Sequence, residues 1–533
     1  MPSPIDLTSP PQHHAQRWQH AQRGAVLMVM LVIMVVGSTT VLVNSLNASD
    51  LKITRQQQTV AALAKAKDAL AGVAVGYSDF PGSLPCPDTN DDGESDAGGT
   101  TGCPQYIGRL PWKTLGLPPD LRDGAGEQLW YTMSRNLRRY DSARPLTSDV
   151  SGTLSITGTN TANDLVAIVL APGHALPGQN RSTTQTALCA TTNTTIVASR
   201  CASNYLEGNN DNLSTEANPV AGVNPNQNYQ TAAASTTFND QLIAVTSQYT
   251  FAPTEKRVAR EVKICLDNYA AANGNKYPWA VPVADPSTLE QSAGRNGTLF
   301  GRLPTLTPEV VTIMWAKFDA LRIAIETFAS AKTETNRTAM VEASSQAQIS
   351  ANNVKNYYSD LNNIPVKDAA AAIEIAANDI SNLNTSSTTT DITTKQQTIT
   401  TKSNDFSNLV PSAWPNCTLF ASTYWNDWKN LIFYQVANGY KPGSAASCSG
   451  SCLKIEGSGH SLAGSGNYRA VVVLAGKKLT STRTVTNISD YLESANLLPQ
   501  SDITKPYLTY RTNDPNYKTN NDLVLCVDGG NNC

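Results

Sequence analysis

With 40 Lys and Arg against 43 Asp and Glu, the 533-residue chain carries a formal charge of −3 and no basic block, which excludes nucleic acid as its main electrostatic partner. Charged residues make up 16% and apolar residues 40%. The length allows two to four domains with sizeable cores, and the charge falls below the usual share of about a quarter, a polar, low-charge balance.

Residues 1–24 contain Arg17 and Arg23 but no Lys, and read as a leader. From Ala25 to Val43 the 19 residues AVLMVMLVIMVVGSTTVLV hold no charge, about 28 Å of helix. This predicts a transmembrane helix over 25–46. Positive charge precedes it, which predicts a single pass of the inner membrane with the body in the periplasm. The pattern continues without Pro through LKITRQQQTVAALAKAKDALAGVAVGY, so one helix is expected over 25–77.

Gln22-Arg23-Gly24 directly before this apolar helix resembles the prepilin leader of type IV pilins and type II secretion pseudopilins. The resemblance implies cleavage by the prepilin peptidase between Gly24 and Ala25. Val29 stands where the family usually has Glu, as in some minor members. Other pilin or pseudopilin subunits are then the expected partners.

Self-comparison reveals a repeat. Residues 61–88 align with 258–285, pairing Phe80-Pro81 with Tyr277-Pro278 and Pro85 with Pro282. Gly-Arg-Leu-Pro recurs at 108–111 and 301–304, LSITG at 154 with LKIEG at 453, and Val169-Leu170-Ala171 with Val473-Leu474-Ala475. Tyr205-Leu206-Glu207 matches Tyr491-Leu492-Glu493, and Asn239-Asp240 matches Asn521-Asp522. Short apolar runs bounded by Gly, Pro and Asn read as strands. The expected fold is α+β: two tandem pilin-like domains over 78–252 and 253–533, each a helix on an antiparallel sheet. A stretch lacking Gly and Cys over 305–413 predicts a helical insertion in the second.

All ten Cys follow the apolar helix, an even number suited to an oxidising compartment. Short loops favour Cys86 with Cys103, Cys189 with Cys201, Cys448 with Cys452 and Cys526 with Cys533, leaving Cys265 with Cys417; sequence alone does not fix the connectivity. Asp88, Asn90, Asp92, Glu94 and Asp96 surround Gly93 with the spacing of a Ca²⁺ loop, whose alternate oxygens converge on one ion. Gly99 stands where the bidentate Glu of a full loop belongs, and the same residues also suit ordinary turns. GxSxG, HExxH, Walker A and GxGxxG are absent, so no enzyme is expected. The expected role is a minor structural subunit at a filament tip or in assembly initiation. The alternatives are a pilus-displayed adhesin and a membrane-anchored periplasmic protein unrelated to pili.

Overall fold

The computed structural model describes residues 18–96, 102–138, 145–189, 194–211, 228–283, 298–304, 309–360, 364–410, 414, 416–442, 444–448, 452–459, 467–479, 482–502 and 504–528. The first helix, α1, runs Trp18–Gly76 over 59 residues, roughly 88 Å. Gly24 and Ala25 lie inside it, without described side chains. The transmembrane expectation is corrected: among the described residues, no helix is long and apolar enough to cross a membrane. Met28–Val36 are exposed on α1. Further on, Ala62, Leu63, Ala66, Leu70 and Ala74 recur at helical spacing and are buried, so this half of α1 is built into the body.

The first sheet comprises β1 (Ile107–Arg109), β2 (Trp130–Met133), β3 (Leu154–Gly158), β4 (Ala162–Ala171), β7 (Asn228–Thr231) and β8 (Gln241–Thr246), with β5 (Thr186–Cys189) and β6 (Thr194–Val197) forming a separate hairpin. Its order is β1-β2-β4-β3-β7, and β8 also pairs with β4. The sheet is not wholly antiparallel, because β7 joins β3 in parallel. The long connection after β4 carries the crossover that a parallel pair needs.

Thr246 ends β8 and caps α2 (Ser247–Ala272), accepting from the Tyr249 amide. The second sheet has order β14-β12-β10-β9, built from β9 (Phe300–Gly301), β10 (Ile432–Val436), β12 (Ala470–Leu474) and β14 (Leu523–Val527). Beside it β11 (Ile455–Glu456) pairs with β13 (Tyr507–Leu508), again in parallel.

The two units repeat contact for contact. Gly108 opposes Tyr131, which opposes Val169; Gly301 opposes Tyr434, which opposes Val472. Tyr131 donates to the Pro85 carbonyl at 3.2 Å and Tyr434 to the Pro278 carbonyl at 3.0 Å. Pro85 therefore corresponds to Pro278, not Pro282, and Val169 to Val472, not Val473. In the helices, buried Ala62, Leu63, Ala66, Leu70 and Ala74 answer to Val258, Ala259, Val262, Leu266 and Ala270. Gly158 and Gly457 share a left-handed φ, +102° and +110°, and a Cβ on either would collide with the carbonyl of Thr231 or Thr509. Only glycine fits both demands.

The insertion folds as four helices, α3 (Glu309–Ser330), α4 (Glu334–Asp360), α5 (Ile364–Ser381) and α6 (Thr389–Leu409). It has its own core, including Met314, Leu321, Phe328, Val354, Ile373 and Phe406. α6 begins with a capping box of Thr388 and Asp391. The insertion is tied at its neck, where Trp414 Nε1 donates to the Pro304 carbonyl at 2.8 Å and Cys265 is bonded to Cys417. By contrast, α1, α2 and both sheets share one continuous core.

Candidate functional site: a duplicated arginine stack beside an acidic loop

The shared Gly-Arg-Leu-Pro places one buried arginine at the same point of each sheet. The Arg109 guanidinium lies 4.5 Å from the Trp130 ring centre and 4.0 Å from that of Tyr205, whose other neighbour is Arg181 at 4.5 Å. In the second unit Arg302 lies 3.9 Å from Phe433 and 4.7 Å from Tyr491, and Arg483 lies 4.9 Å from Tyr491. In each stack the two rings also touch, with centres 5.5 Å apart, so the inner Arg sits against both and the outer Arg against the Tyr, contacts that suit the planar guanidinium. Arg109 donates to the carbonyls of Gln128 and Ser199, both at 3.1 Å; Arg302 donates to those of Asn430 and Val485. Burial lowers the pKa of both, that of Arg302 to about 10. The outer arginines are paired with acids, Arg181 with Glu127 at 3.1 Å and Arg483 with Asp149 at 2.9 Å.

Next to each stack lies a duplicated acid pair. Asp240 Oδ2 accepts from the Glu207 amide at 2.9 Å and the Asn210 side chain at 3.0 Å. Asp522 Oδ2 accepts from the Glu493 amide at 3.3 Å and the Asn496 side chain at 2.9 Å. Burial, then the neighbouring Glu, pushes the Asp240 pKa up to about 8 and that of Asp522 well above the usual carboxylate range. Asn210 and Asn496 also bond the backbone of β7 at Gln230 and of β13 at Leu508. They lock the crossover strand in both units.

The acidic loop precedes β1. Asp88 is buried, and its carboxylate accepts from the amides of Asn90 at 3.1 Å, Asp91 at 2.7 Å and Gly93 at 2.7 Å. Asn90 accepts from the Asp92 amide, Asp92 from that of Glu94, and Asp96 from that of Thr89, while the Glu94 side chain is exposed. Gly93 has φ +85°, and a Cβ there would run into Trp112. Among the described residues, no group of three or more His, Cys, Asp or Glu side chains could hold a metal ion. Removing the Asp88 carboxylate takes the acceptor from three amides, of which that of Gly93 is buried. Asp88→Ala is therefore expected to cost about 2–4 kcal/mol, read as a fall in denaturation midpoint; an unchanged midpoint would show the loop to be held by something else.

Loop, stack and the β5–β6 hairpin enclose a cavity of about 370 Å³ lined by Asp88, Asp91, Arg109, Trp130 and Arg200. Disulfides join Cys86 to Cys103, Cys189 to Cys201, Cys265 to Cys417 and Cys448 to Cys452. Cys526 is also disulfide-bonded, and Cys533 lies outside the described residues. Three of the short-loop pairs and the pair left over, Cys265 with Cys417, are among these bonds. Trp425 and Trp428 are core residues, and Trp414 packs on Tyr269 and Phe420.

The stacks and acid pairs were in view in the sequence only as repeated words, Gly-Arg-Leu-Pro, Tyr-Leu-Glu and Asn-Asp. Their recurrence was the signal; their convergence was not readable. Comparison of the chain with protein-family models, with curated proteins and with solved structures finds no match.

Proposed function

We propose that the chain is a minor structural subunit of a type IV pilus or type II secretion filament, acting at the tip or in assembly initiation rather than as an enzyme. The observation that carries this reading is α1, one continuous helix whose later half is built into the body while Met28–Val36 stand exposed. Preceded by Gln22-Arg23-Gly24, that apolar run suits packing among the helices of other subunits. Nine disulfide-bonded cysteines fit an oxidising, exported setting. A second reading, a pilus-displayed adhesin, is favoured by the separate helical bundle with exposed Ile323, Ile349 and Ile375.

The test is mass spectrometry of the mature N-terminus from cells with and without the prepilin peptidase. A methylated peptide starting at Ala25, present only with the peptidase, is the expected result. An uncut leader in both strains would remove the filament reading.

A further inference from the structure

A second cavity, of about 660 Å³, opens between α2, the edge strand β14 and the chain that follows β13. One face of α2 lines it with Lys256, Arg260 and Lys263, about 6 and 4.5 Å apart along the helix axis, and Arg511 comes from the β13 side. Lys263 is paired with Asp267 at 2.6 Å, whereas among the described residues Lys256, Arg260 and Arg511 form no ion pair. Two acids also line the cavity, Glu255 and Asp522, and both are buried. Burial pushes the Glu255 pKa up to about 8 and that of Asp522 well above the usual carboxylate range. At pH 7 both are largely protonated, and the cations stand uncancelled.

The basic row is not something the fold needs twice. In the helix correspondence that pairs Ala62 with Val258, Lys256 and Arg260 stand where α1 has Val60 and Ala64, and the first unit packs its helix on its sheet without them. Both side chains are exposed, and like charges four residues apart on a helix are mildly destabilising. The row therefore works against the helix that carries it, and an anionic ligand in the cavity relieves the repulsion.

The opposite wall narrows the class of ligand. An edge strand invites an extended peptide, but Thr509 occupies this one: its hydroxyl accepts from the Val524 amide at 3.3 Å and donates to the Asp522 carbonyl at 3.2 Å. Beside the cations the lining is aromatic and neutral polar, including Tyr510, Tyr517, Thr512 and Asn513, which suits the apolar face and the hydroxyls of a sugar ring. We propose that this cavity binds a carboxylated glycan, its uronate groups meeting Lys256, Arg260, Lys263 and Arg511 and its rings meeting the tyrosine wall. Charge-assisted bonds to carboxylates supply most of the affinity. This inference stands on the second unit alone and not on processing of the leader.

The experiment is calorimetric titration of the full-length protein with tetragalacturonate, its uncharged methyl ester and tetraglutamate. Tetragalacturonate should bind with a Kd below about 1 mM and more weakly as salt is added, and the methyl ester should bind about tenfold more weakly or worse. Lys256→Ala with Arg260→Ala should also weaken binding about tenfold without lowering the urea midpoint, because both positions are exposed. Lys395→Ala with Lys402→Ala, the same charge removed from α6, should leave binding as it was. Folded protein that fails to bind tetragalacturonate at about 1 mM would overturn the proposal. So would tetraglutamate bound as tightly as tetragalacturonate, which would assign the cavity to acidic peptide, and an equal loss from the two double variants, which would assign binding to overall charge. None of these outcomes bears on cleavage at Gly24.

Discussion

Thermal stability is expected to be highest in mild acid and to fall as the solution becomes alkaline. Burial raises the pKa of Asp240 and Glu255 to about 8 and carries Asp522 well above the usual range. An acid with a raised folded-state pKa contributes stability that is complete below its unfolded value near 4 and is lost as pH rises through the folded value. For Asp240 and Glu255 that window is about pH 4 to 8. Asp92, Glu334, Asp391, Asp502 and Asp514 have lowered values; they act in the opposite sense, but none is buried and they matter only in stronger acid. Calorimetry should give a Tm lower at pH 9 than at pH 5 by on the order of 5–10 °C. Asp240→Asn with Asp522→Asn keeps a neutral side chain of the same shape at all pH. That double variant should match the parent near pH 5 and exceed it near pH 9. A parent whose Tm is flat or rises over this range would refute the account, as would a double variant that is weaker at both ends.

Replacing either inner arginine is expected to give one of the largest losses from a single site. Arg109→Ala or Arg302→Ala removes the donor to two carbonyls and leaves a void beside a pair of touching aromatic rings, at about 2–4 kcal/mol each. Lysine retains the charge but neither the plane nor the fork, so Arg109→Lys and Arg302→Lys should still cost about 2 kcal/mol. Because α1, α2 and both sheets share one core, either change should lower the same unfolding transition. Arg322, on the surface of the bundle and paired only with Asp319 and Glu326, provides the control: its replacement by Ala should cost under about 0.5 kcal/mol. Midpoints of urea denaturation decide the matter. An Arg302→Lys protein as stable as the parent would reduce the stack to incidental proximity.

The repeat was legible because the words that recur are those the fold needs twice: Gly158 and Gly457 at a left-handed turn, Arg109 and Arg302 in the stacks, Asp240 and Asp522 in the acid pairs. Register was less legible. Aligning Phe80-Pro81 with Tyr277-Pro278 misses that the connection after α1 is longer than that after α2, whereas the hydroxyls of Tyr131 and Tyr434 reach Pro85 and Pro278. The parallel pairing of β3 with β7 was hidden for a similar reason, since alternation reports a strand but not its direction. Arg181 and Arg483 went unseen because they lie in connections of unequal length, where no word repeats. The apolar run after Gly24 was the loudest signal in the chain, yet among the described residues no helix is long and apolar enough to cross a membrane. In the acidic loop the sequence placed the oxygens, and the bonds they accept from the loop's own amides are a matter of backbone geometry that spacing does not report.

The bond between Cys265 and Cys417 has a mechanical consequence. The two residues are 152 apart in sequence, roughly 500 Å of extended chain, and the whole bundle lies between them. Tension applied at the two ends of the molecule passes through the sulfur bridge and bypasses the bundle, which stays slack and folded while the rest is strained. From that bridge the load enters α2, crosses to α1 through Arg257 and Tyr249, and runs on along the axis of the long helix. A body built this way can be tugged without lengthening by the greater part of its second half, and its bundle keeps its shape under traction.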